Sequence, residues 1–476
     1  MPDISPQLKK EILADPVNVF AQHHPQASDQ QTTALHTLAQ QYNELDKQHR
    51  GIKKQAQQLS RMIGNARKNG ESTDEFMASM LIHSEHLKAL SAELGDTGKR
   101  ILDCFEDAND PDGTDDKQAA IQGRAYPQAE KGCPEASISL IDDFKDDWNR
   151  YVEANPAASI YHRAEWKALI RKAFGHQSYY FAARNTGGEI VGILPLTRLR
   201  SRLFGDFMVS MPYFNYGGAI AEHPQIEQQL MQAAAEHAAD LGVSHIEYRD
   251  DIPRDGLPAQ TGKVNMVLPL PGSHEILWQS FTPKLRAQIR RPQREKVRVL
   301  QGGEEYLQDF YTVFTRNMRD LGTPVYAKSF FQHILNSFPD ACRLVIIRLE
   351  NKPVAAGFLI GHRDTLEIPW ASTIRDVNPL SMNMLLYWEV LKYAIDNRFR
   401  LFDFGRSSKD AGTYRFKQQW GAQPRQLYWH YWLQQGTTLP ALNPANPKYT
   451  LAIKIWRKMP LSMTTRLGPL IVKNLP

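Results

Sequence analysis

Near the start of the chain, apolar positions recur at alternating steps of three and four. Leu35, Leu38, Tyr42, Leu45, His49, Ile52, Ala56, Leu59 and Ile63 form one stripe. A polar break follows over 65–74, and Phe76, Met80, His83, Leu87, Leu90, Leu94, Thr97, Ile101 and Cys104 form a second. Such steps keep side chains on one helix face, so each stripe needs a helical partner to cover it. Two stripes joined by a short Gly-containing turn cover one another as an antiparallel helical hairpin. Helices of about 30 residues each extend roughly 45 Å at 1.5 Å per residue. An arm of that length reaches beyond a globular body, which points to a large partner.

The turn of this hairpin, Leu59-Ser60-Arg61-Met62-Ile63-Gly64-Asn65-Ala66-Arg67-Lys68-Asn69-Gly70-Glu71, has a small, basic tip. Over about 30–105 the chain resembles the N-terminal arm of seryl-tRNA synthetases. In that family the arm grips the long variable arm of the tRNA. The resemblance implies a similar use for Arg50, Lys53, Lys54, Arg61, Arg67 and Lys68, since phosphates need cations spaced along a rod. A solvated coiled-coil face or a dimer seam satisfies the same heptads, and spacing alone does not separate these readings.

The 476 residues allow two to four domains. A net charge of +5 is too small to name a partner, but its distribution is uneven. Residues 106–116 hold six acids and no base, whereas the last 41 residues hold six bases and no acid. Between them Lys284, Arg286, Arg290, Arg291, Arg294, Lys296 and Arg298 are met only by Glu295. Patches on a near-neutral chain point to local anion sites rather than a general nucleic-acid coat. Cys104, Cys133 and Cys342 form no CxxC and no metal spacing, so the expectation is a reducing compartment and no metal. Met1-Pro2-Asp3-Ile4-Ser5-Pro6 has no basic stretch leading into an apolar core, and no run of about 18 apolar residues exists. A cytoplasmic protein without a signal peptide or transmembrane segment is expected.

Residues 1–30 read as a loose leader, 31–105 as the arm and 106–136 as an acidic linker. From 137 the pattern predicts a strand at 137–141, helices at 143–153 and 164–174, and a hairpin of 179–184 and 190–196 around Asn185-Thr186-Gly187-Gly188. A helix at 225–241 and a strand at 245–249 follow. The order then repeats: helices at 304–321 and 329–338, a hairpin of 343–349 and 354–361, a strand at 365–373, a helix at 384–397 and a strand at 401–404. The expectation is two tandem α/β (α+β) domains, 137–268 and 269–435, then a basic amphipathic tail, 436–476. In the tail Tyr449, Ile453, Trp456 and Met459 share a helical face with Lys454, Arg457 and Lys458 between them; Pro460 and Pro469 interrupt it. Such a helix either lies on anionic lipid as a peripheral contact or docks on the protein body.

The second half ends on Phe402-Asp403-Phe404-Gly405-Arg406-Ser407-Ser408 and Gly412-Thr413-Tyr414-Arg415-Phe416-Lys417-Gln418-Gln419-Trp420-Gly421. With Leu321-Gly322-Thr323-Pro324 and Arg286-Ala287-Gln288-Ile289-Arg290-Arg291, these motifs resemble the FemAB family of aminoacyltransferases over about 137–433. Within it the likeness is to FemAB-like proteins associated with exosortase/PEP-CTERM systems, found near exopolysaccharide genes. The resemblance implies two tandem GNAT-like acyltransferase domains that form an amide on an amine of a cell-envelope precursor, peptidoglycan or exopolysaccharide. The implied donor is aminoacyl-tRNA, with no tightly bound cofactor. One departure stands out. Family members carry their synthetase-like helical arm inside the second domain, whereas here it precedes both.

Acyl transfer needs a positive donor where the carbonyl oxygen gains charge, and the resemblance gives that role to Lys417. Arg406 follows a predicted strand end, where ligands of α/β sheets collect, and a guanidinium there can hold a phosphate or carboxylate. A salt bridge to Asp403 or Asp410 is the alternative. Asp403 either orients the attacking amine and accepts its proton or serves as a structural partner for Arg415. Tyr414 donates a hydrogen bond or packs in the core. Arg286, Arg290 and Arg294 recur every four residues as a candidate phosphate stripe, although Pro292 should interrupt the helix. Tyr213, Asn215 and Tyr216, in Met211-Pro212-Tyr213-Phe214-Asn215-Tyr216-Gly217-Gly218, read as a ligand-approach loop. Tyr161, His162 and Trp166 line the same cleft or form an aromatic core, and Asn383 reads as a helix cap.

A conventional acyl-CoA enzyme of this fold cradles pyrophosphate with Q/R-x-x-G-x-G/A. After the strand at 365–373 this chain offers Ile374-Arg375-Asp376-Val377-Asn378-Pro379, which lacks the glycines. That places aminoacyl-tRNA ahead of acyl-CoA, with an acyl-carrier protein also open. Two further readings remain: an acyl-CoA or acyl-ACP N-acyltransferase of exopolysaccharide synthesis, and a non-catalytic RNA- or protein-binding adaptor.

Overall fold

The computed structural model describes residues 11–23, 29–69, 72–109, 135–142, 145–202, 204–409, 411–440 and 447–475. They fall into two compact units, Met1–Gln118 and Ala119–Pro476. In the first, helices Asp29–Asn69 and Asp74–Asn109 pack on each other along the predicted stripes. His49 meets Ser91 at 3.0 Å, and Gly98 lies against Tyr42, so positions with a constant sum face each other and the helices are antiparallel. The helices are longer than the periodicity suggests, 41 and 36 residues. Good helix formers carry the first through the polar 65–69 stretch, where Ala66 is buried in the seam. The second runs through 106–109, so the predicted linker begins inside a helix; the rest of that linker, 110–134, lies outside the described residues. The leader is also not loose over 11–23. Its helical turns bury Ile12 and Phe20 against Leu35, Leu38 and Ile101.

The second unit holds two mixed sheets, its strands numbered along the chain. The first sheet runs in the order β1 (Ala136–Leu140), β2 (Gln177–Asn185), β3 (Ile190–Ser201), β4 (Gly205–Val209), β6 (His245–Asp250), β15 (Tyr428–Leu433), β7 (Ala259–Gln260), with β5 (Ile220–Ala221) on β3. The second runs β9 (Val297–Gly302), β10 (Cys342–Leu349), β11 (Lys352–His362), β12 (Thr365–Thr373), β13 (Leu401–Ser408), β8 (Lys263–Pro269), β14 (Gln423–Gln426). Each has one parallel pair, β4–β6 and β12–β13, and every other neighbour is antiparallel. A parallel pair requires a crossover. Helices Pro224–Asp240 and Met382–Asp396 supply it. The strand order of one sheet is therefore that of the other.

One strand crosses between the sheets. The second sheet is built from the consecutive strands β8–β14, whereas β15 follows it in sequence and returns to the first sheet to pair with β6. The sequence boundary at 268/269 falls inside β8, so the second half begins a strand earlier than expected.

Local chemistry fixes the hairpins. β10 turns into β11 through Glu350 and Asn351 alone, both at positive φ, the geometry that matches the twist of paired strands. Pro353, assigned from the sequence to the turn, instead enters β11 opposite a bulge between Ile347 and Arg348. Helix Met382–Asp396 starts after Ser381, so Asn383 sits inside the first turn and is not the cap. At the end of the chain, helices Pro447–Lys458 and Leu461–Val472 dock beside helix Leu307–Leu321. Gly322 admits Ile453, and Gly468 lies directly on the Val325 backbone, where a Cβ would stand 2.8 Å from its nitrogen. The Trp456 face of the tail is thus the docked face; the side chain of Tyr449 lies outside the described residues.

Candidate active site

The parallel ladder of β12 and β13 is short. It pairs Thr365 with Leu401, Leu366 with Phe402 and Glu367 with Asp403, and there it stops. Both strands continue, to Thr373 and Ser408, and part beyond Glu367 and Asp403. On its other side β13 slips register against β8 between Asp403 and Arg406. Gly405, at φ 75, makes that slip possible, since a side chain there is strained. The bulge delivers the Gly405 and Arg406 carbonyls to Lys417 Nζ, which donates to them at 2.8 and 3.0 Å.

Three ionisable groups are therefore buried at the point of divergence: Glu367, Asp403 and Lys417. Asp403 accepts from the Gly405 N–H at 2.6 Å, the Tyr216 hydroxyl at 2.8 Å and the Asn265 amide at 2.9 Å. Glu367 accepts from the Tyr161 hydroxyl at 2.6 Å. Burial and the neighbouring Asp403 push Glu367 up to about 8, against the pull of Tyr161, Lys417 and Asn215. Burial likewise raises Asp403, opposed by Gly405 N–H, Tyr216 and Lys417. Burial lowers Lys417 to about 8, although both carboxylates hold it up. A carboxyl and an ammonium both brought to about 8 by burial make a pair poised to exchange protons just above neutrality.

A cavity of about 700 Å³ opens on Glu367 and Asp403; Lys417 does not line it. Glu367, Asp403, Tyr161, Tyr216, Gly217 and Gly218 line it with residues of both halves. Next to it, Trp429 of β15 is held between two guanidiniums, Arg249 at 4.4 Å and Arg406 at 4.5 Å from the ring centroid. Arg249 also lines the cavity and is buried against Glu247 at 2.8 Å, whose other oxygen accepts from Tyr431 at 2.7 Å.

The structure gathers some of the sequence candidates and scatters others. Asp403, Lys417, Asn215 and Tyr216 come together. Tyr161 and His162 reach the cavity wall, His162 with its ring nitrogens on Gly218 O and on Ser159. Trp166 is core, donating to Ile160 O. Arg406 is exposed and stacks on Trp429; among the described residues it forms no salt bridge with Asp403, and Asp410 lies outside them. Arg415 is exposed, and the partners of Asp403 are Tyr216, Asn265 and Gly405 instead. Tyr414 packs on the apolar core and is not a cavity residue. Tyr213 turns away to bond Lys473 O at 2.7 Å. Arg286 and Arg290 lie on helix Pro283–Arg290, whereas Arg294 falls on the separate turn Pro292–Arg294, so Pro292 divides the stripe; none of the three lines the cavity. Arg50, Lys53, Lys54 and Arg61 are exposed on helix Asp29–Asn69 of the first unit, while the side chains of Arg67 and Lys68 lie outside the described residues.

Sequence reasoning missed Glu367, Asn265 and Arg425. The first two had a signal: each is a polar residue inside an otherwise apolar strand, Leu366-Glu367-Ile368 and Val264-Asn265-Met266, where burial demands a partner. Arg425, which pairs with Asp251, had none.

No curated protein matches the chain by sequence. Among solved structures it is similar to FemX, at 12% identity over 66% of this chain and 100% of that one, with a TM-score of 0.49. It is also similar to a tandem GNAT protein from the clavulanic acid biosynthesis pathway (12%, 64% and 100%, TM-score 0.40) and to L-PGS from Bacillus licheniformis (11%, 66% and 97%, TM-score 0.38). Residues 279–418, which span the cluster from its supporting helices to Lys417, match the family model described as an acetyltransferase (GNAT) domain, so the second half of this chain carries a GNAT-type acyltransferase domain.

Proposed function

We propose that this protein is an aminoacyltransferase that builds an amide on an amine of a cell-envelope precursor, with aminoacyl-tRNA as donor. The acceptor occupies the cavity between the two halves, and the donor carbonyl lies where β12 and β13 part. The amine attacks the carbonyl carbon, the ester C–O bond breaks, and the proton shed by the amine passes through the Glu367 carboxylate to the departing ribose hydroxyl. Lys417 stabilises the oxyanion. Two of its three N–H bonds are held by Gly405 O and Arg406 O, which fixes the third in direction. Asp403 and Tyr216 set the orientation of the amine.

The observation that carries this reading is the buried Lys417 beside two buried carboxyls at a strand divergence that faces a cavity. Support for this donor comes from what stands in place of a pyrophosphate cradle. After β12 the chain forms the short turn Arg375–Leu380, and the N–H groups of Val377 and Ser381 are spent on Ile374 O and Asn378 O. Turned inward, they are not available to phosphate. The arm of the first unit, with its exposed cations, is the element through which tRNA is held.

The test is donor consumption by the purified full chain with envelope amines as acceptors, comparing radiolabelled aminoacyl-tRNA with acyl-CoA. Transfer from aminoacyl-tRNA, reduced by roughly 10²–10³ in Lys417→Met, is the expected result. Consumption of acyl-CoA instead removes the tRNA part of the reading. Consumption of neither leaves an adaptor as the better account.

A further inference from the structure

The two helices at the end of the chain turn one face to the body and an apolar face outward. In Pro447–Lys458, Trp456 is buried while Leu451 and Ile455, one turn apart, are 60% and 55% exposed. In Leu461–Val472, Thr464, Gly468 and Val472 are buried while Met463, Leu467 and Leu470 are 48%, 40% and 61% exposed. At 100° per residue Met463, Leu467 and Leu470 fall within one narrow stripe, and Leu451 and Ile455 share one face, while Ile453, 37% exposed, lies on the other side against Gly322. Cations border both stripes on the same side: Lys454 and Lys458 beside Leu451 and Ile455, Arg466 beside Met463, Leu467 and Leu470, all exposed. This outward stripe is not the face that the sequence pattern marks, which carries Ile453 and Trp456 and is spent on docking.

We propose that this face is a peripheral membrane-binding surface that lies on a bilayer containing anionic lipid. A helix of 12 residues is only about 18 Å long, too short for a hydrocarbon core of about 30 Å, so it lies on the membrane rather than across it. Among the described residues no helix is long and apolar enough to cross. The choice of a lipid occupant rests on charge. Residues 436–476 hold six bases and no acid, so the charge that the tail itself sets around the exposed leucines is all positive. A second copy placed on the same face would set Lys454, Lys458 and Arg466 against their own counterparts. An anionic headgroup layer meets the cations while the acyl boundary takes the leucines, isoleucine and methionine. The helices are held firmly enough to present such a face. Arg457 donates to Leu321 O at 3.1 Å, and Lys473 O accepts from His176 at 2.6 Å and Tyr213 at 2.7 Å. Tyr213 belongs to the loop that carries Tyr216 to the cavity, so the surface on the membrane and the wall of the acceptor cavity are joined by one short segment.

The inference stands apart from the transferase reading, and its test does not use turnover. The full chain is sedimented with phosphatidylcholine vesicles with and without phosphatidylglycerol. It is expected to bind the mixed vesicles, to release as salt rises, and to bind pure phosphatidylcholine weakly. Leu467→Glu/Leu470→Glu alters only exposed positions and should keep the wild-type melting temperature while losing binding by at least about tenfold. Lys454→Glu/Lys458→Glu should lose the salt-sensitive part. Failure of the wild type to bind mixed vesicles overturns the proposal. So does binding that the leucine variant leaves intact, or a wild-type dimer by light scattering that this variant converts to monomer, which assigns the face to a second copy.

Discussion

Lys417 and Glu367 both titrate near 8, from opposite directions and for the same reason, because burial disfavours charge of either sign. The consequence for turnover has a definite sign. Glu367 must be ionised to take the amine proton, so kcat/KM rises as pH approaches 8; Lys417 must be protonated to meet the oxyanion, so it falls above 8. The expected profile is a bell centred near pH 8, measured as kcat/KM against pH. Glu367→Gln should lose the rising limb and Lys417→Arg should carry the falling limb to higher pH; an unchanged rising limb in Glu367→Gln would assign the base elsewhere. Stability follows linkage. The folded-state pKa of Glu367 lies above its ordinary 4.5, so its protonated form stabilises the fold at low pH, and that contribution is lost progressively as pH rises to about 8. Thermal melts of Glu367→Gln from about pH 5 to 9, set against wild type, should show a shallower loss of stability below pH 8 and the same slope above it. Asp403 and Lys417 could be picked from the sequence because they sit in a recognisable motif. Glu367 shows in the sequence only as a polar residue in an apolar strand, and its role depends on a neighbour 36 positions away in the chain that only strand pairing brings alongside.

The elements divide in the same way. The hairpin of the first unit was legible because its buried positions repeat a local period, and a helix stripe needs no distant information to be seen. The site depends instead on a defect, the slip of β13 at Gly405. Gly405→Ala should cost about 1–2 kcal/mol for a left-handed residue, although the space around it is open. Gly188→Ala, at φ 83 in an exposed turn with nothing near its missing side chain, carries the same backbone cost far from the cavity. Both variants should therefore lose a similar amount of melting temperature, while only Gly405→Ala, which displaces the carbonyls that hold Lys417, should lose activity out of proportion. Equal activity in the two would detach the bulge from the mechanism. The tail shows the limit of periodicity. Its periodicity marks the face with Ile453 and Trp456, but only Gly322, which admits Ile453, and Gly468, which seats the following helix on Val325, decide how the tail meets the protein.

At the scale of the molecule, the return of β15 to the first sheet ties two repeats into one folding unit. The first sheet takes a strand from beyond the second half, and the core under the second sheet takes Tyr161, Trp166, Met211 and Phe214 from the first, so neither half has a closed core of its own. Every tryptophan of the chain lies between 148 and 456, and their fluorescence reports this unit alone. It should show a single denaturant transition, with near-ultraviolet dichroism coincident. Removal of residues 423–433 opens an edge in both sheets and should abolish that transition rather than shift it. Two separate fluorescence transitions would mean that the halves fold independently. The amino-acid sequence by itself determined the helical arm, the repeated order of strands and helices, and the apolar faces, because these are set by the spacing of side chains within a few turns or one hairpin. Only the tertiary structure decided that β15 returns to the first sheet, that Glu367 and Asp403 share one buried site, and which face of the tail is left uncovered, because each of these joins residues distant in the chain and is settled by shape and by the few glycines that permit close approach.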